Sequence, residues 1–413
     1  MSHEDADRRN TVPGMTKGLF SIPEFRRLWL VGLLTFVVRW LELLAMALYA
    51  YQVTGSAFVV AMMTMLRLLP MGLFGAFMGA AADRFDRRSV LILTIVISMV
   101  ATLVLGVLAI FDALAVWHLA VASFINGICW TTDNPVRRMM IGDIVGPERM
   151  GHAMSLDVGT NNASRIIGPM ISGVLLAQLG IAGVFLLGVL VYGVCLVSAL
   201  RIQLRRGPSG RHAAPFIASI REGFEWVRGD RRLQGVLAIT VIFNVFGWPV
   251  TSMVPVIGTD YLQLGPEGVG LLASCDGAGG LIGAILLGTF GRAHWYGRIY
   301  VGAVVIYLAV VIAFATAPNT LVAAVALLAV GISGVGFSAM QATLVYRDSP
   351  IEMRARLLGV LSVCIGTGPI GFAYIGLMAD AMTPRVATVA LAVQGMIALI
   401  LTRRYWMVTL RAK

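Results

Sequence analysis

The run over residues 90–110, VLILTIVISMVATLVLGVLAI, contains no ionisable side chain and no amide. A helix needs about 20 mostly apolar residues to cross the hydrocarbon layer. The run is continuous, whereas a barrel strand alternates apolar and polar residues. About twelve such runs recur, centred near positions 40, 69, 100, 126, 166, 191, 247, 278, 308, 332, 366 and 393. Helices satisfy their own backbone hydrogen bonds in lipid, so the chain is expected to be an all-α integral membrane protein with about 12 transmembrane helices. Composition agrees: 58% of the residues are hydrophobic and 13% charged, about half the charged share of a soluble domain.

The first 20 residues mix acids with bases, and the first apolar run, beginning near Leu28, is long enough to span. No cleavable signal is expected, and the amino terminus is expected to stay on the cytoplasmic side. Cys129, Cys195, Cys275 and Cys364 fall inside the runs without CxxC spacing. They read as small core residues, and no disulfide framework, metal site or cofactor is expected.

A net charge of +11 in a soluble domain would point to nucleic acid, but here its distribution follows the runs. Seven alternate segments hold 28 of the 32 Lys and Arg: the amino terminus, 84–88, 137–149, the central loop, 292–298, 347–356 and the carboxy-terminal tail. The intervening loops hold Arg385 alone, and Arg39, Arg67 and Arg165 lie within runs. Basic residues accumulate on the cytoplasmic side. Both termini are therefore expected inside, with an even number of spans and no nucleic-acid partner.

One long hydrophilic interruption, 203–232, divides the runs six and six. It begins with the flexible basic linker RRGPSGRHAAP and continues with Phe216, Ile217, Ile220, Phe224 and Val227 at helical spacing. A short amphipathic helix on the inner membrane face, in contact with lipid, is expected, weakened in its middle by Gly223. The expected organisation is a cytoplasmic segment 1–27, a six-helix half 28–202, the central loop 203–232, a second half 233–402 and a cytoplasmic tail 403–413. The halves echo each other where IIGPMISG of the fifth run meets GTGPIGFA of the eleventh: Gly168 and Pro169 stand 200 residues before Gly368 and Pro369. Equal halves with such an echo favour a duplicated transporter whose site lies at the midplane between them.

The stretch GAAADRFDRR, 79–88, puts five ionised side chains into six positions between two runs. An acid at the end of one helix can meet the unpaired amides at the N-terminus of another, while bases reach carboxylates or lipid phosphates. A plain topogenic cluster is the alternative. GAAADRFDRRSVL resembles the signature loop between the second and third helices of the major facilitator superfamily, with Gly79, Asp83, Arg84, Arg87 and Arg88 matching it. Asp86 stands where that family usually has Gly, and Asp also tolerates turn conformations.

FRRLWLVGLL at 25–34, YQVTGSAFVV at 51–60, NPVRRMMIGDIVGPERMGHAMSL at 134–156 and IREGFEWVRGDRRL at 220–233 are similar to the branch that holds the enterobactin exporter and macrolide-efflux proteins. The resemblance implies the major facilitator fold of two pseudo-symmetric six-helix halves. It also implies that Asp83 and Arg84 form a latch favouring the outward-open state. SRIIGPMISG at 164–173 is similar to the antiporter signature of drug-efflux members: Gly168, Pro169 and Gly173 match, and Ser164 and Ser172 replace glycines. That likeness implies export over import. The corresponding loop of the second half, GTFGRAHWYGRI at 288–299, keeps glycines and bases but no acid, so the two gates are expected to differ.

Ionisable groups at bilayer depth are costly and mark function. The runs place Arg39, Glu42, Arg67, Arg165 and Asp276 near the centre. Arg39 and Glu42, three apart on one face, are expected either to pair with each other or to serve transport. Asp133, Asp143 and Asp157 lie towards inner ends, as helix caps or partners of Arg137, Arg138 or Arg149, and Asp133 is also a candidate for the cavity. Three central arginines against two acids favour an anionic or zwitterionic amphipathic small molecule. Asn126, Asn162, Asn244, Gln341, Phe243 and Trp248 are expected to complete a polar and aromatic lining, or else to pack between helices. Proton coupling is expected to rest on Glu42 or Asp276.

The expected function is a secondary exporter of the inner membrane, monomeric and embedded in lipid, moving a compound of siderophore or drug type by proton antiport. An importer or facilitator of the same fold, and a non-transporting assembly factor, are the alternatives. A membrane enzyme would show clustered His or acids such as HExxH, which the sequence lacks.

Overall fold

The computed structural model describes residues 18–82, 86–203 and 216–410. Five helices come first: α1 (Pro23–Thr54), α2 (Ala57–Ala82), α3 (Arg87–Ile110), α4 (Val116–Val145) and α5 (Pro147–Leu200). A short helix α6 (Phe216–Gly229) precedes α7 (Arg231–Ile242), which runs through a π turn (Phe243–Gly247) and a 3-10 turn (Trp248–Met253) into α8 (Val254–Asp260). Then follow α9 (Pro266–Phe290), α10 (Tyr296–Ala315), α11 (Thr320–Asp348), α12 (Arg354–Ile365), α13 (Gly368–Ala381), α14 (Pro384–Leu401) and α15 (Arg403–Leu410). The chain is all-helical, and among the described residues nine helical segments are long and apolar enough to cross a membrane. Two of the twelve apolar runs have their centres at irregular backbone: the one near 247 in the π turn, the one near 366 between α12 and α13.

Leu93, Val100, Leu103 and Val107 of α3 are all exposed, a continuous apolar stripe that only lipid can cover at low cost. The charge-free run thus has one face for packing and one for the bilayer. Arg88 at its start donates to Leu200 O at 2.6 Å and to Ala199 O at 3.5 Å, satisfying carbonyls at the end of α5.

Helix α5 doubles back. Trp29 Nε1 donates to Thr160 Oγ1 at 2.9 Å, and Arg27, in the same turn of α1, donates to Arg201 O at 2.8 Å. Both arms of α5 therefore meet the start of α1. The reversal falls at Gly180, with φ 64° and ψ −171°, a backbone region open only to glycine. Gly55, at φ 63°, closes α1 by donating its N–H to Tyr51 O at 2.8 Å.

Asp86 stands at the start of α3, directly after residues 83–85, which lie outside the described residues. Its φ of −62° and ψ of 119° are ordinary extended values, and its carboxylate accepts from Ser89 N–H at 2.9 Å and from the Ser89 hydroxyl at 2.8 Å. It is the N-cap of α3. Asp86→Ala is accordingly expected to cost about 1 kcal/mol and Asp86→Gly a few tenths, read as shifts in the unfolding midpoint of the purified protein.

The amphipathic segment forms α6. Gly223 is a close-approach residue there rather than a weak point: a Cβ on it would sit 2.7 Å from Val360 Cγ2 and 3.1 Å from Arg356 O of α12. Glu222 pairs with Arg356 at 2.8 Å beside this contact.

Helix α9 lies between α5 and α11, and glycines set both spacings. A Cβ on Gly173 would come 2.5 Å from Pro266 O, and one on Gly279 2.0 Å from Leu328 O. Backbones touch at these crossings, so side chains on α5, α9 and α11 are held at fixed separations.

Candidate functional site

Mid-molecule, a cavity is walled by Trp40, Trp130 and Trp248, with Arg39, Arg67 and Asn161 supplying its polar groups. These residues come from α1, α2, α4, α5 and the 3-10 turn after α7. Trp248 reaches the wall because Gly247, Pro249 and Pro255 prevent a regular helix there. Gly168 lets α5 approach Trp40, its Cβ position lying 2.6 Å from Trp40 Cβ. Gly368 lies beside Trp248, whose ring is 3.4 Å from its Cβ position, an ordinary van der Waals contact. The two Gly-Pro pairs of the sequence echo therefore each face a tryptophan of the same cavity.

The expected central charges are arranged as follows. Arg39 donates to Asp133 at 2.8 Å, with both residues buried, and does not pair with Glu42. Glu42 instead accepts from Thr102 Oγ1 at 2.6 Å and Asn126 Nδ2 at 3.4 Å, behind the cavity wall between α1, α3 and α4. Arg67 donates to Arg39 O at 3.0 Å and lies over the Trp130 ring at 5.4 Å. Arg165 of α5 pairs with Asp276 of α9 and lies over the Trp40 ring at 5.3 Å. This pair is partly exposed, with its side chains 25% and 19% accessible, unlike the buried Arg39–Asp133. Each buried charge has a partner or hydrogen bonds, as low-dielectric surroundings require.

Asp133 is therefore part of the centre and not a cap at the inner end. With it, three arginines face three acids, and the excess of positive charge read from the sequence disappears. A narrower surplus remains: Arg39 Nη1 and Arg67 Nε are buried without an acceptor. Two guanidinium donors on the cavity residues are thus unspent, each normally worth a hydrogen bond.

Other expected residues fall elsewhere. Asp143 pairs with Arg87, and Asp157 with Arg137 and, at 3.8 Å, Arg138. Asn244 donates to Thr240 O of its own helix at 2.8 Å, and Phe243 stacks on Phe337 at 3.8 Å in the core. Asn162 is buried beside Gly280, 3.8 Å from its Cβ position. Pro169 and Gly173 form the crossing with Gly270 of α9. Gly79 lies in α2, while Asp83 and Arg84 lie outside the described residues. The sequence reading missed Trp40 and Trp130. The available signal was their position, since tryptophan at mid-span is unusual where the membrane interface is its preferred depth.

Residues 17–412 match the family described as transmembrane secretion effector. The macrolide efflux protein A of Streptococcus pyogenes is 24% identical over 271 residues, which cover 65% of this chain and 67% of that protein. The enterobactin exporter of Salmonella typhi is 24% identical over 323 residues, 77% of this chain and 76% of that protein. Among solved structures, a bacterial homologue of the human lysosomal transporter Spinster, inward-facing and unoccupied, superimposes with a TM-score of 0.70 at 16% identity, over 97% of this chain and 98% of that one. That likeness shows a shared fold.

Proposed function

We propose, from the premise that this chain belongs to the transmembrane secretion effector family of major facilitator transporters, that it exports a small amphipathic compound of siderophore or drug type by alternating access. The observation that carries the reading is the Arg165–Asp276 pair, an ion pair joining α5 to α9 beside an aromatic cavity. Such a pair has two states, closed when Asp276 is ionised and released when it takes a proton. A carboxylate placed to open and close a helix crossing is what proton coupling needs. Asp276 is favoured over Glu42 as the proton carrier because Glu42 is buried behind the wall, whereas Asp276 is partly exposed.

The reading includes twelve spans in two six-helix halves, 28–202 and 233–402, within the inner membrane of the cell, both termini cytoplasmic, acting as a monomer. The break at Gly180 makes two spans of α5, and α2 and α4 supply the others beyond the nine long apolar segments. Large buried clusters support the division: one draws mostly on residues 227–399, the other two almost wholly on residues 19–202. The guanidinium groups of Arg39 and Arg67 in the cavity lining favour a substrate with oxygen acceptors, anionic or zwitterionic, over a lipophilic cation.

Two experiments test this. In proteoliposomes under an imposed pH gradient, Asp276→Asn is expected to abolish pH-driven transport while Glu42→Gln retains most of it. Unchanged transport in both variants defeats the coupling assignment. In a strain stripped of its own pumps, the protein is expected to lower accumulation of siderophores or macrolides; raised accumulation would favour the importer reading, and preference for cationic dyes would defeat the donor argument.

A further inference from the structure

Among the described residues, the hydrogen bonds joining residues before 203 to residues after 230 lie on one side. Arg165–Asp276, and Ser274 Oγ to Ile166 O at 2.8 Å, are near the middle. The rest cluster at the end marked by Gly55: the Tyr51 hydroxyl to Asp260, Gln178 Nε2 to Glu267 Oε1 at 3.1 Å, and two bonds to Asp380.

The Asp380 site has a specific form. Ser56 Oγ accepts from Val59 N–H at 3.2 Å, the bond of an N-cap for α2. The Ser56 hydroxyl in turn donates to Asp380 Oδ2 at 2.6 Å, and Phe58 N–H donates to Asp380 Oδ1 at 3.1 Å. A carboxylate from the last turn of α13 thus caps α2, satisfying a first-turn amide and facing the positive end of that helix. The same two helices are in close contact below the cap, where a Cβ on Gly376 would lie 3.0 Å from Phe58 Cα. Asp380, Asp260 and Glu267 are all exposed, so water can replace each contact when the helices part.

We infer that Asp380 is an outer latch, a positioning residue for transport that caps α2 only while the outer end is shut and so sets how often that end opens. The inference rests on the two-half reading above. Its partner contact is Tyr51–Asp260, which ties the end of α1 to the end of α8 on the same side. Neither acid touches the cavity.

The test measures distances in full-length protein in lipid nanodiscs, with the four native cysteines replaced by serine. Spin labels at Phe111 and Leu321 report the outer end, and labels at Arg149 and Ile351 the inner end; all four positions are exposed. Asp380→Ala is expected to raise the ratio of long to short outer distances roughly fivefold, the worth of a typical helix cap, with the inner distances shortening in step. Asp380→Asn keeps an acceptor for the Phe58 amide and is expected to shift less, and Ser56→Ala is expected to shift in the same direction. A wedge, Gly173→Leu, separates the two ideas, because it spreads the α5–α9 crossing without touching Asp380. If the wedge opens the outer end and closes the inner end while Asp380→Ala changes neither, the latch is overturned and the two-half reading stands. If the wedge moves only one end or neither, the two-half reading fails and the latch fails with it.

Discussion

Arg137→Met is expected to lower stability by about 3–5 kcal/mol, the usual result of leaving one member of a buried ion pair alone. Arg137 of α4 is 1% exposed and donates to Asp157 of α5, itself 3% exposed. Its guanidinium also lies 4.5 Å from the Phe36 ring and fills the space over Gly32, whose Cβ position is 2.6 Å from Arg137 Nη1. Without it, among the described residues Asp157 keeps the exposed Arg138 at 3.8 Å as its ion-pair partner. The double replacement Arg137→Met with Asp157→Leu removes both charges and is expected within about 1 kcal/mol of the parent, since apolar replacement of a whole buried pair is often neutral. Thermal unfolding of the three purified variants reads the difference directly. A double variant as unstable as Arg137→Met would show that packing, and not the lone charge, is the cause.

Gly331→Leu is expected to cost about 3 kcal/mol or more, at the upper end of overpacking. A Cβ at this position of α11 would stand 2.0 Å from Asp276 O and 2.6 Å from Gly280 N, both backbone atoms that have no rotamer to move. The helices must part, and because α9 carries Asp276, the Arg165 pair is expected to loosen with them. Gly334→Leu, three residues along the same helix, is the control: its nearest neighbour is the edge of the Tyr307 ring at 3.7 Å, and it is expected to stay close to the parent. Yield of monodisperse protein and the unfolding midpoint distinguish the two. Equal losses would mean that α11 tolerates no bulk on any face.

The helical runs were legible because they depend on composition, which acts locally, and the run centres near 166 and 191 fall on either side of the break at Gly180. The short helix after the central linker was legible too, since five apolar residues at helical spacing need no knowledge of what they touch. Asp86, read from the sequence as a residue that tolerates a turn, is the N-cap of α3. A cap and a turn use the same residue types, so composition alone does not reveal the cap.

Pairings were less legible. Asp133 reads from the sequence both as an inner-end cap and as a cavity candidate, and its position in the run does not choose between them, because burial follows neighbours more than depth. Arg39, 94 residues away, is what holds it. The ion pair Arg165–Asp276 joins positions 111 apart, and Asp380 reaches Phe58 across 322. Glycine at 279 and 331 carried no warning, since a glycine in an apolar run looks the same whether it faces lipid or another backbone.

The sequence by itself determined that this chain is a helical membrane protein built from many long apolar segments, and that a few charges lie within them. Those follow from solvation and backbone freedom, which each residue carries with it. Only the tertiary structure decided which charges neutralise one another, which tryptophans face one cavity and which end is closed by a carboxylate on another helix's first turn. Partner choice is a property of distances between helices, and these are set by packing over the whole bundle.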